Sequence, residues 1–366
     1  MKNKNLIMTL IFTLVIGGMS LSCWLKPQAG FSESERRPLA EKPKLTSETL
    51  ATGEFMKNFE LYTVDQFPNR DKFRSLKAMF ATYVFNKKDN NGLFTADGHI
   101  SKIEYPVNPD MVKHAEERFK FLYETYMKDK DVNIYLSIVP DKNYFLAEKN
   151  GYPAIDYNEF INDFKSRVDF MEYIDILPLL SIDDYYKTDS HWKQENITDI
   201  AEYIASCMGT KVKAEYTVNT LEKPFAGVYL GQSALPHQPD TMKYLTNETL
   251  ENCEVSYFDT GSAVSGEMYN MEKAQGKDPY EMFLSGTSAL IEIENTNAGT
   301  DKELVVFRDS YGSSLVPLLA EGYRKITVVD IRYIQSGFVG NFVDFDKGDV
   351  LFLYSTTLLN NSMAMR

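Results

Sequence analysis

The stretch LVVFRDSYGSS, residues 304 to 314, joins a buried strand to the start of a helix. Its first four residues form a continuous apolar run, which is typical of a strand that is covered on both faces. The small and polar residues after it predict a tight turn, and the leucines that follow predict a short helix. Two further strands are predicted at Lys325 to Asp330 and Val350 to Tyr354. This spacing predicts parallel strands joined by helical crossovers.

The same rhythm occurs earlier in the chain. Val132 to Val139 is a β-branched apolar run that ends in Pro140-Asp141-Lys142, and helical stripes and a short strand at Tyr173 to Leu177 follow. Residues 210 to 300 have weak periodicity and predict loops with an irregular β insertion. The predicted fold class is therefore a three-layer α/β/α sandwich with a mainly parallel sheet.

Ser310 lies three residues beyond Phe307, where the sheet is expected to bind ligands, at the carboxyl ends of its strands. A serine hydroxyl becomes a good nucleophile when a base takes its proton. The backbone N–H groups at a helix N-terminus can then stabilise the oxyanion that forms. The alternative is that Asp309 or Ser310 only caps the helix.

A second polar stretch, TDSHW at residues 188 to 192, puts Asp189 two residues before His191 in a chain with four histidines. This spacing lets a carboxylate orient an imidazole base. An aspartate N-cap beside a surface histidine is the alternative. Because both stretches follow predicted strands, both loops should open on one edge of the sheet. We therefore predict a triad in which Ser310 is the nucleophile, His191 the base and Asp189 its orienting carboxylate.

The remaining histidines are weaker candidates. His114 lies off the apolar stripe of its predicted helix and should be solvated, whereas His99 and His237 lie in predicted loops without a carboxylate at comparable spacing. Asp189 and His191 alone are too few ligands for zinc or iron. We predict neither a metal nor a cofactor.

The composition is that of a globular protein. The 366 residues are 43% hydrophobic, 13% aromatic and 25% charged, and the net charge is −13. Such an acidic chain is not expected to bind nucleic acid or an anionic membrane surface. Cys207 and Cys253 could form a disulfide in an oxidising compartment, but their spacing does not require one.

The N-terminus indicates export. Two lysines precede an uncharged, mostly apolar run at residues 6 to 22, which fits a cleaved signal peptide or a single-pass anchor. Ser20-Leu21-Ser22-Cys23 resembles a lipoprotein cleavage box, but leucine is not at the usual third position before the cysteine. Lipidation is therefore not predicted. We therefore predict a signal or anchor at 1–26, a linker at 27–53, and one α/β domain at 54–366 that contains the insertion.

Several blocks of this sequence resemble known families. A strand followed by Asp309-Ser310, with Asp-x-His upstream, is similar to the SGNH hydrolase superfamily with its motifs in reversed order, as in the alginate O-acetyltransferase branch. The chain more closely resembles the bacterial DHHW family. The matching blocks are Arg36-Arg37-Pro38-Leu39, Gly53-Glu54-Phe55, Asp65-Gln66-Phe67-Pro68-Asn69-Arg70, Pro140-Asp141-Lys142, Tyr186 to Trp192, Phe283-Leu284-Ser285-Gly286, Arg308 to Gly312 and Asp330-Ile331-Arg332-Tyr333. Ser190 stands where the family signature has its first histidine.

The resemblance also implies site residues. The Ser310 N–H should form part of an oxyanion hole, and Gly286 is either a second donor or a turn glycine. Arg332 either binds an anionic substrate group or pairs with a nearby aspartate. Lys142 and Arg70 are likewise substrate-binding candidates or structural residues.

The resemblance implies an exported serine acyl esterase or O-acetyltransferase that acts on a cell-envelope polysaccharide. A transferase would need a membrane partner that supplies the acyl group. The alternative is a non-catalytic carbohydrate-binding or envelope-assembly protein on the same fold, which the change at Ser190 favours.

Overall fold

The computed structural model describes residues 2–212, 215–259 and 261–366. The chain divides into two compact units, each considered by itself. The larger unit consists of Gly92–Tyr229 and Gln238–Arg366, and the smaller one of Met1–Asn91 and Leu230–His237.

The strands and helices alternate over most of the chain. The strands are β1 (Phe31–Ser32), β2 (Arg37–Pro38), β3 (Leu93–Ala96), β4 (His99–Lys102), β5 (Asp131–Val139), β6 (Glu172–Tyr173), β7 (Thr217–Thr220), β8 (Lys243–Thr246), β9 (Glu254–Tyr257), β10 (Val264–Gly266), β11 (Leu290–Glu294), β12 (Glu303–Arg308), β13 (Lys325–Val329) and β14 (Lys347–Ser355). The α-helices are α1 (Lys2–Leu25), α2 (Ser47–Ala51), α3 (Glu54–Asp65), α4 (Arg70–Met79), α5 (Pro109–Leu122), α6 (Asn143–Leu146), α7 (Tyr157–Arg167), α8 (Thr198–Cys207), α9 (Val228–Ser233), α10 (Glu248–Asn252), α11 (Met271–Ala274), α12 (Gly312–Leu319) and α13 (Thr356–Leu359).

The larger unit contains an eight-stranded sheet in the order β10-β9-β11-β13-β12-β14-β5-β6. The five strands from β13 to β6 in this order pair in parallel. The pairs β13–β11, β11–β9 and β9–β10 are antiparallel. Strand β12 is central, with Phe307 opposite Val329 on one side and Phe352 on the other.

Helices cover both faces of this sheet because successive side chains of the parallel strands alternate between two apolar cores. Leu304 and Val306 of β12 pack into the core that includes α8 and α12. Val305 and Phe307 pack into the opposite core, which includes α5 and α7. The architecture is therefore the predicted three-layer α/β/α sandwich.

Two sequence predictions differ from the structure. The strand predicted at Tyr173 to Leu177 is limited to β6, and a 3₁₀ turn begins at Leu177 beside a proline, which lacks the N–H that a ladder needs. Residues 210 to 300 contribute the hairpin β7–β8 and the strands β9, β10 and β11 of the main sheet. Those strands are too short to produce a clear period. Residues 213, 214 and 260 of this region lie outside the described part.

The predicted domain boundaries stay predictions. The segment predicted as a linker, 27–53, contains β1, β2 and α2, and the compact unit that holds the sheet begins at Gly92. Within the described residues, one helical stretch, Lys4–Cys23, is long and apolar enough to cross a membrane, as a signal sequence also is. Cys207 and Cys253 are free thiols.

Polar contacts hold the smaller unit together. The Arg37 guanidinium donates to both carboxylate oxygens of Asp65, at 2.6 and 2.9 Å. The Gln66 side chain both accepts from and donates to the backbone of Ala29, at 3.0 and 2.8 Å. None of the three buried apolar clusters in the described part of the chain includes a residue of α3 or α4.

Candidate active site

The turn that carries Ser310 is attached to the neighbouring strand. Asp309 is buried, and its carboxylate accepts from the N–H of Tyr311 at 3.0 Å and from the N–H of Ser355, at the end of β14, at 2.8 Å. Helix α12 begins two residues after Ser310, and no side chain caps it. Asp309 therefore fixes the turn instead of capping the helix, and Ser310 projects from the carboxyl edge of the sheet.

Asp189, His191 and Ser310 form a continuous hydrogen-bonded chain. The Nε2 atom of His191 lies 2.7 Å from the Oγ atom of Ser310, and its Nδ1 atom lies 2.6 Å from Oδ1 of Asp189. The side chain of Asp189 is fully buried, whereas 13% of the His191 side chain is exposed. These distances are those expected of a nucleophile, a base and its orienting group.

Backbone donors fix the carboxylate of Asp189. Its Oδ1 atom also accepts from the N–H of His191 at 3.1 Å, and its Oδ2 atom accepts from the N–H of Val228 at 2.8 Å. Hydrogen bonds to both oxygens favour the charged form of a carboxylate. The group is therefore arranged to stabilise a cationic imidazole.

Residues distant in sequence hold the loop that precedes Asp189. Asp240 accepts from the N–H groups of Lys187 and Thr188, at 2.9 and 2.7 Å, and from the Thr188 hydroxyl at 2.5 Å. Gly227 packs directly under this loop. A Cβ atom at Gly227 would lie 2.3 Å from the carbonyl oxygen of Thr188 and 2.5 Å from Cβ of Asp189, so only glycine fits.

Lys142 supports the same loop from beneath. Its ammonium is buried and donates to the carbonyl oxygens of Tyr186 and Lys187, at 3.0 and 3.2 Å. Burial lowers its pKa to about 7, although the carboxylates of Asp189, Asp240 and Asp141 favour the charged form. Lys142 therefore supports the loop. Its ammonium is buried, so the structure offers no exposed charge for the predicted role in substrate binding.

Two aromatic side chains connect the loop to the Ser310 turn. The ring of Tyr280 stacks on the imidazole of His191, with centroids 3.9 Å apart and planes 11° apart. The Tyr280 hydroxyl lies 2.9 Å from Oγ of Ser314 in α12. The indole N–H of Trp192 donates to the same Ser314 oxygen, at 2.9 Å. The imidazole is therefore held in the plane that reaches Ser310.

The other predicted substrate-binding residues are engaged within the protein. Arg332 donates to both carboxylate oxygens of Asp330, at 2.9 and 2.6 Å, and the buried Arg308 donates to Asp330 at 3.3 Å. The Gly286 N–H donates to the carbonyl of Phe283, and its φ of +71° is that of a turn glycine. A role for Gly286 as an oxyanion donor would require that hydrogen bond to break. Arg70 forms ion pairs with Glu35 and Asp65 in the smaller unit.

Ser190, the departure from the DHHW signature, makes long side-chain contacts with Asp189 and His191, and its side chain also hydrogen-bonds to Tyr229. Its Oγ atom is 3.4 Å from Oδ1 of Asp189 and 3.5 Å from Nδ1 of His191. Its carbonyl accepts from the hydroxyl of Tyr311 at 2.7 Å.

His114 and His99 make their hydrogen bonds elsewhere in the larger unit. His114 is half-buried beside Ser362, which differs from the predicted solvated position, and His99 is buried in β4. In the described ranges, no group of three His, Cys, Asp or Glu residues could hold a metal ion. The prediction missed Asp240, Gly227 and Tyr280. For Tyr280 the sequence does contain a signal, because this residue lies just before the Phe283 to Gly286 block that resembles the DHHW family.

No protein-family model matches the sequence, and a search of curated proteins finds no match. Solved structures do match. A DHHW family protein from Eubacterium siraeum has a TM-score of 0.61 and 22% sequence identity, and the match covers 75% of this chain and 95% of that chain. Bacillus cereus PatB1 with a sulfonyl adduct has a TM-score of 0.58 and 19% identity, covering 73% of this chain and 94% of that chain.

A second structure of Bacillus cereus PatB1 also has a TM-score of 0.58, with 18% identity and coverage of 74% of this chain and 97% of that chain. At these identities the likeness concerns the fold. The resemblance to the DHHW family is confirmed at that level, and the chain has the α/β/α, SGNH hydrolase-like fold that the sequence blocks predict.

Proposed function

We propose that this protein is an exported serine acyl esterase or O-acetyltransferase that acts on a cell-envelope polysaccharide. The observation that carries the proposal is the chain of hydrogen bonds from Asp189 through His191 to Ser310, at 2.6 and 2.7 Å. Because Asp189 is an acceptor, it favours the tautomer with a proton on Nδ1 of His191. The free Nε2 lone pair then faces the Ser310 hydroxyl.

In the first half-reaction, His191 takes the proton of the Ser310 hydroxyl as Oγ bonds to the carbonyl carbon of the acyl donor. The buried carboxylate of Asp189 stabilises the imidazolium that forms. When the tetrahedral intermediate collapses, the bond to the leaving oxygen breaks and that oxygen takes the proton from His191. Ser310 is left as an acyl ester.

In the second half-reaction, a hydroxyl group attacks the acyl-serine and gives its proton to His191. The bond between the acyl carbon and Oγ of Ser310 then breaks, and Oγ takes that proton back from His191. Water as the acceptor releases the acid, whereas a sugar hydroxyl becomes acylated. The Ser310 N–H lies at the mouth of α12, where backbone donors and the helix dipole favour an oxyanion. The family resemblance supports a glycan acceptor and a membrane partner that delivers the acyl group, and the apolar N-terminal helix supports export.

Covalent labelling tests the proposal. PatB1 has been solved with a sulfonyl adduct, and sulfonyl fluorides react with activated serine hydroxyls. We expect a sulfonyl fluoride to add one sulfonyl group to Ser310, detected by intact-protein and peptide mass spectrometry. Acetate release from an activated aryl acetate should fall by at least about 10³-fold in Ser310→Ala.

Ser190→Ala is the matched control, since it removes a hydroxyl that also lies beside His191. It should retain both the adduct and the acetate release. Equal rates in the wild type and Ser310→Ala, without an adduct on Ser310, would refute catalysis and leave the non-catalytic glycan-binding alternative. Acetate transfer to water or to an added oligosaccharide then separates esterase from transferase.

A further inference from the structure

Helix α4 and the helical turn that continues it to Val84 expose their apolar side chains. We call Phe73, Leu76, Phe80, Tyr83 and Val84 the aromatic face of α4. These residues recur at helical spacing, and their exposed fractions range from 45% to 67%. A helix of a soluble protein normally buries such a stripe against its core. Here the stripe faces outward.

The opposite side of α4 makes the contacts with its own unit. Ala78 and Ala81 are buried. The Arg74 guanidinium donates to the carbonyl oxygens of Gly231 and Gln232, at 2.9 and 3.3 Å. Small and polar residues therefore attach the helix. Its aromatic face stays exposed apart from an edge contact between Phe73 and Phe67 of the same unit, whose ring centroids are 5.4 Å apart.

Positive charge borders the aromatic face. At roughly 100° per residue, Lys72 and Lys77 fall on its two edges, and both side chains are exposed. Residues 70 to 88 contain six lysines and arginines and one aspartate, in a chain whose net charge is −13. Lysine stems that flank an aromatic stripe can reach lipid headgroups while the rings enter the acyl boundary.

We propose that the aromatic face of α4 lies in the surface of an anionic membrane, the one that α1 would cross. The stretch Lys4–Cys23 of α1 belongs to the same compact unit and is long and apolar enough to span a bilayer. A lipid surface fits better than a second copy, because two such faces would bring their bordering lysines together. The inference is independent of the chemistry at Ser310.

Lipid-based quenching tests the placement in the full chain. Cys23, Cys207 and Cys253 are replaced by serine, and an environment-sensitive fluorophore is attached to Phe80→Cys. Phe338→Cys is the matched control, since Phe338 is a similarly exposed phenylalanine of the larger unit. The proteins are placed in nanodiscs of phosphatidylcholine and phosphatidylglycerol, with or without lipids that carry a nitroxide in the acyl chain.

We expect the label at position 80 to shift to shorter wavelength and to be quenched several-fold more by the nitroxide lipids than the label at position 338. The shift should decrease in discs without phosphatidylglycerol and in the added double variant Lys72→Gln, Lys77→Gln. Equal, water-like emission at both positions would overturn the proposal. A shift at position 80 without lipid quenching would also overturn it and would indicate that protein covers the face.

Discussion

The turn that carries Ser310 and the loop that carries Asp189 and His191 are held in different ways. The turn is fixed by its own strand and by β14, through Asp309 and the N–H of Ser355. The loop is fixed by residues from elsewhere in the chain, including Lys142, Gly227 and Asp240. The position of the proposed nucleophile thus depends on the sheet, whereas that of the proposed base depends on a set of packed loops.

This difference determines where substitutions should act. A change near Ser310 must disturb a buried sheet before it moves the hydroxyl. A change under the loop can move His191 while the sheet stays intact. We therefore expect substitutions under the loop to reduce reactivity with smaller effects on folding than substitutions near the Ser310 turn.

Asp189→Asn should have the largest effect among the supporting residues. The amide removes the charge that stabilises the imidazolium and favours the wrong tautomer of His191, for a loss in kcat of roughly 10³- to 10⁴-fold. Steady-state hydrolysis of an activated aryl acetate measures this loss. Far-UV circular dichroism should be unchanged, and a loss below about tenfold would contradict the assigned role of the carboxylate.

Gly227→Ala should come next. The added Cβ overlaps backbone atoms of Thr188, which must shift, and the hydrogen bond from Val228 to Asp189 should break. A displacement of about 1 Å in a catalytic group can cost on the order of 10²-fold in rate. Gly337→Ala is the control, since a Cβ there meets no neighbouring atom. Equal rates in the two variants would show that the loop tolerates the shift.

The same difference explains how much of the molecule could be predicted from the sequence. The Ser310 turn follows from one continuous stretch, in which an apolar strand, a polar turn and a helix are adjacent. Asp189 and His191 are also neighbours in sequence. Asp240 and Tyr280 are not, because they reach the loop only through folding of the weakly periodic region from 210 to 300. The ion pair of Arg332 with Asp330 joins residues two positions apart in the chain. Pairing with a nearby aspartate was one of the two roles predicted for Arg332 from the sequence.

Tyr280 contacts both the loop of His191 and the Ser310 turn with its helix. Two substitutions of Tyr280 can therefore separate the effect of ring stacking from the effect of the hydroxyl hydrogen bond. Tyr280→Phe keeps the ring on His191 and loses the hydroxyl contact with Ser314, so we expect a loss of a few-fold in kcat/KM. Tyr280→Leu removes the ring and should cost roughly tenfold. Rates are compared at a temperature where both variants are folded. A lower kcat/KM for Tyr280→Phe than for Tyr280→Leu would contradict this order and would mean that the hydroxyl contributes more to the rate than the stacked ring.

Lys142→Met should have the smallest effect on rate and a distinctive effect on stability. Burial lowers the pKa of Lys142 to about 7, against the opposing carboxylates of Asp189, Asp240 and Asp141, and Lys193 adds a like charge nearby. In the unfolded chain the pKa is about 10.4. Between these values the unfolded state binds more protons, so this lysine makes the free energy of unfolding rise with pH.

The cost of burying the charged ammonium is therefore complete below pH 7 and disappears near pH 10. Relative to the wild type, Lys142→Met should be most stable at pH 6 and should lose more than half of that advantage by pH 9, as measured by urea unfolding at both values. Lys113→Met, at an exposed lysine, should show no such dependence. A pH-independent difference between Lys142→Met and the wild type would mean that the buried ammonium keeps its proton throughout, because its bonds to the carbonyls of Tyr186 and Lys187 outweigh burial.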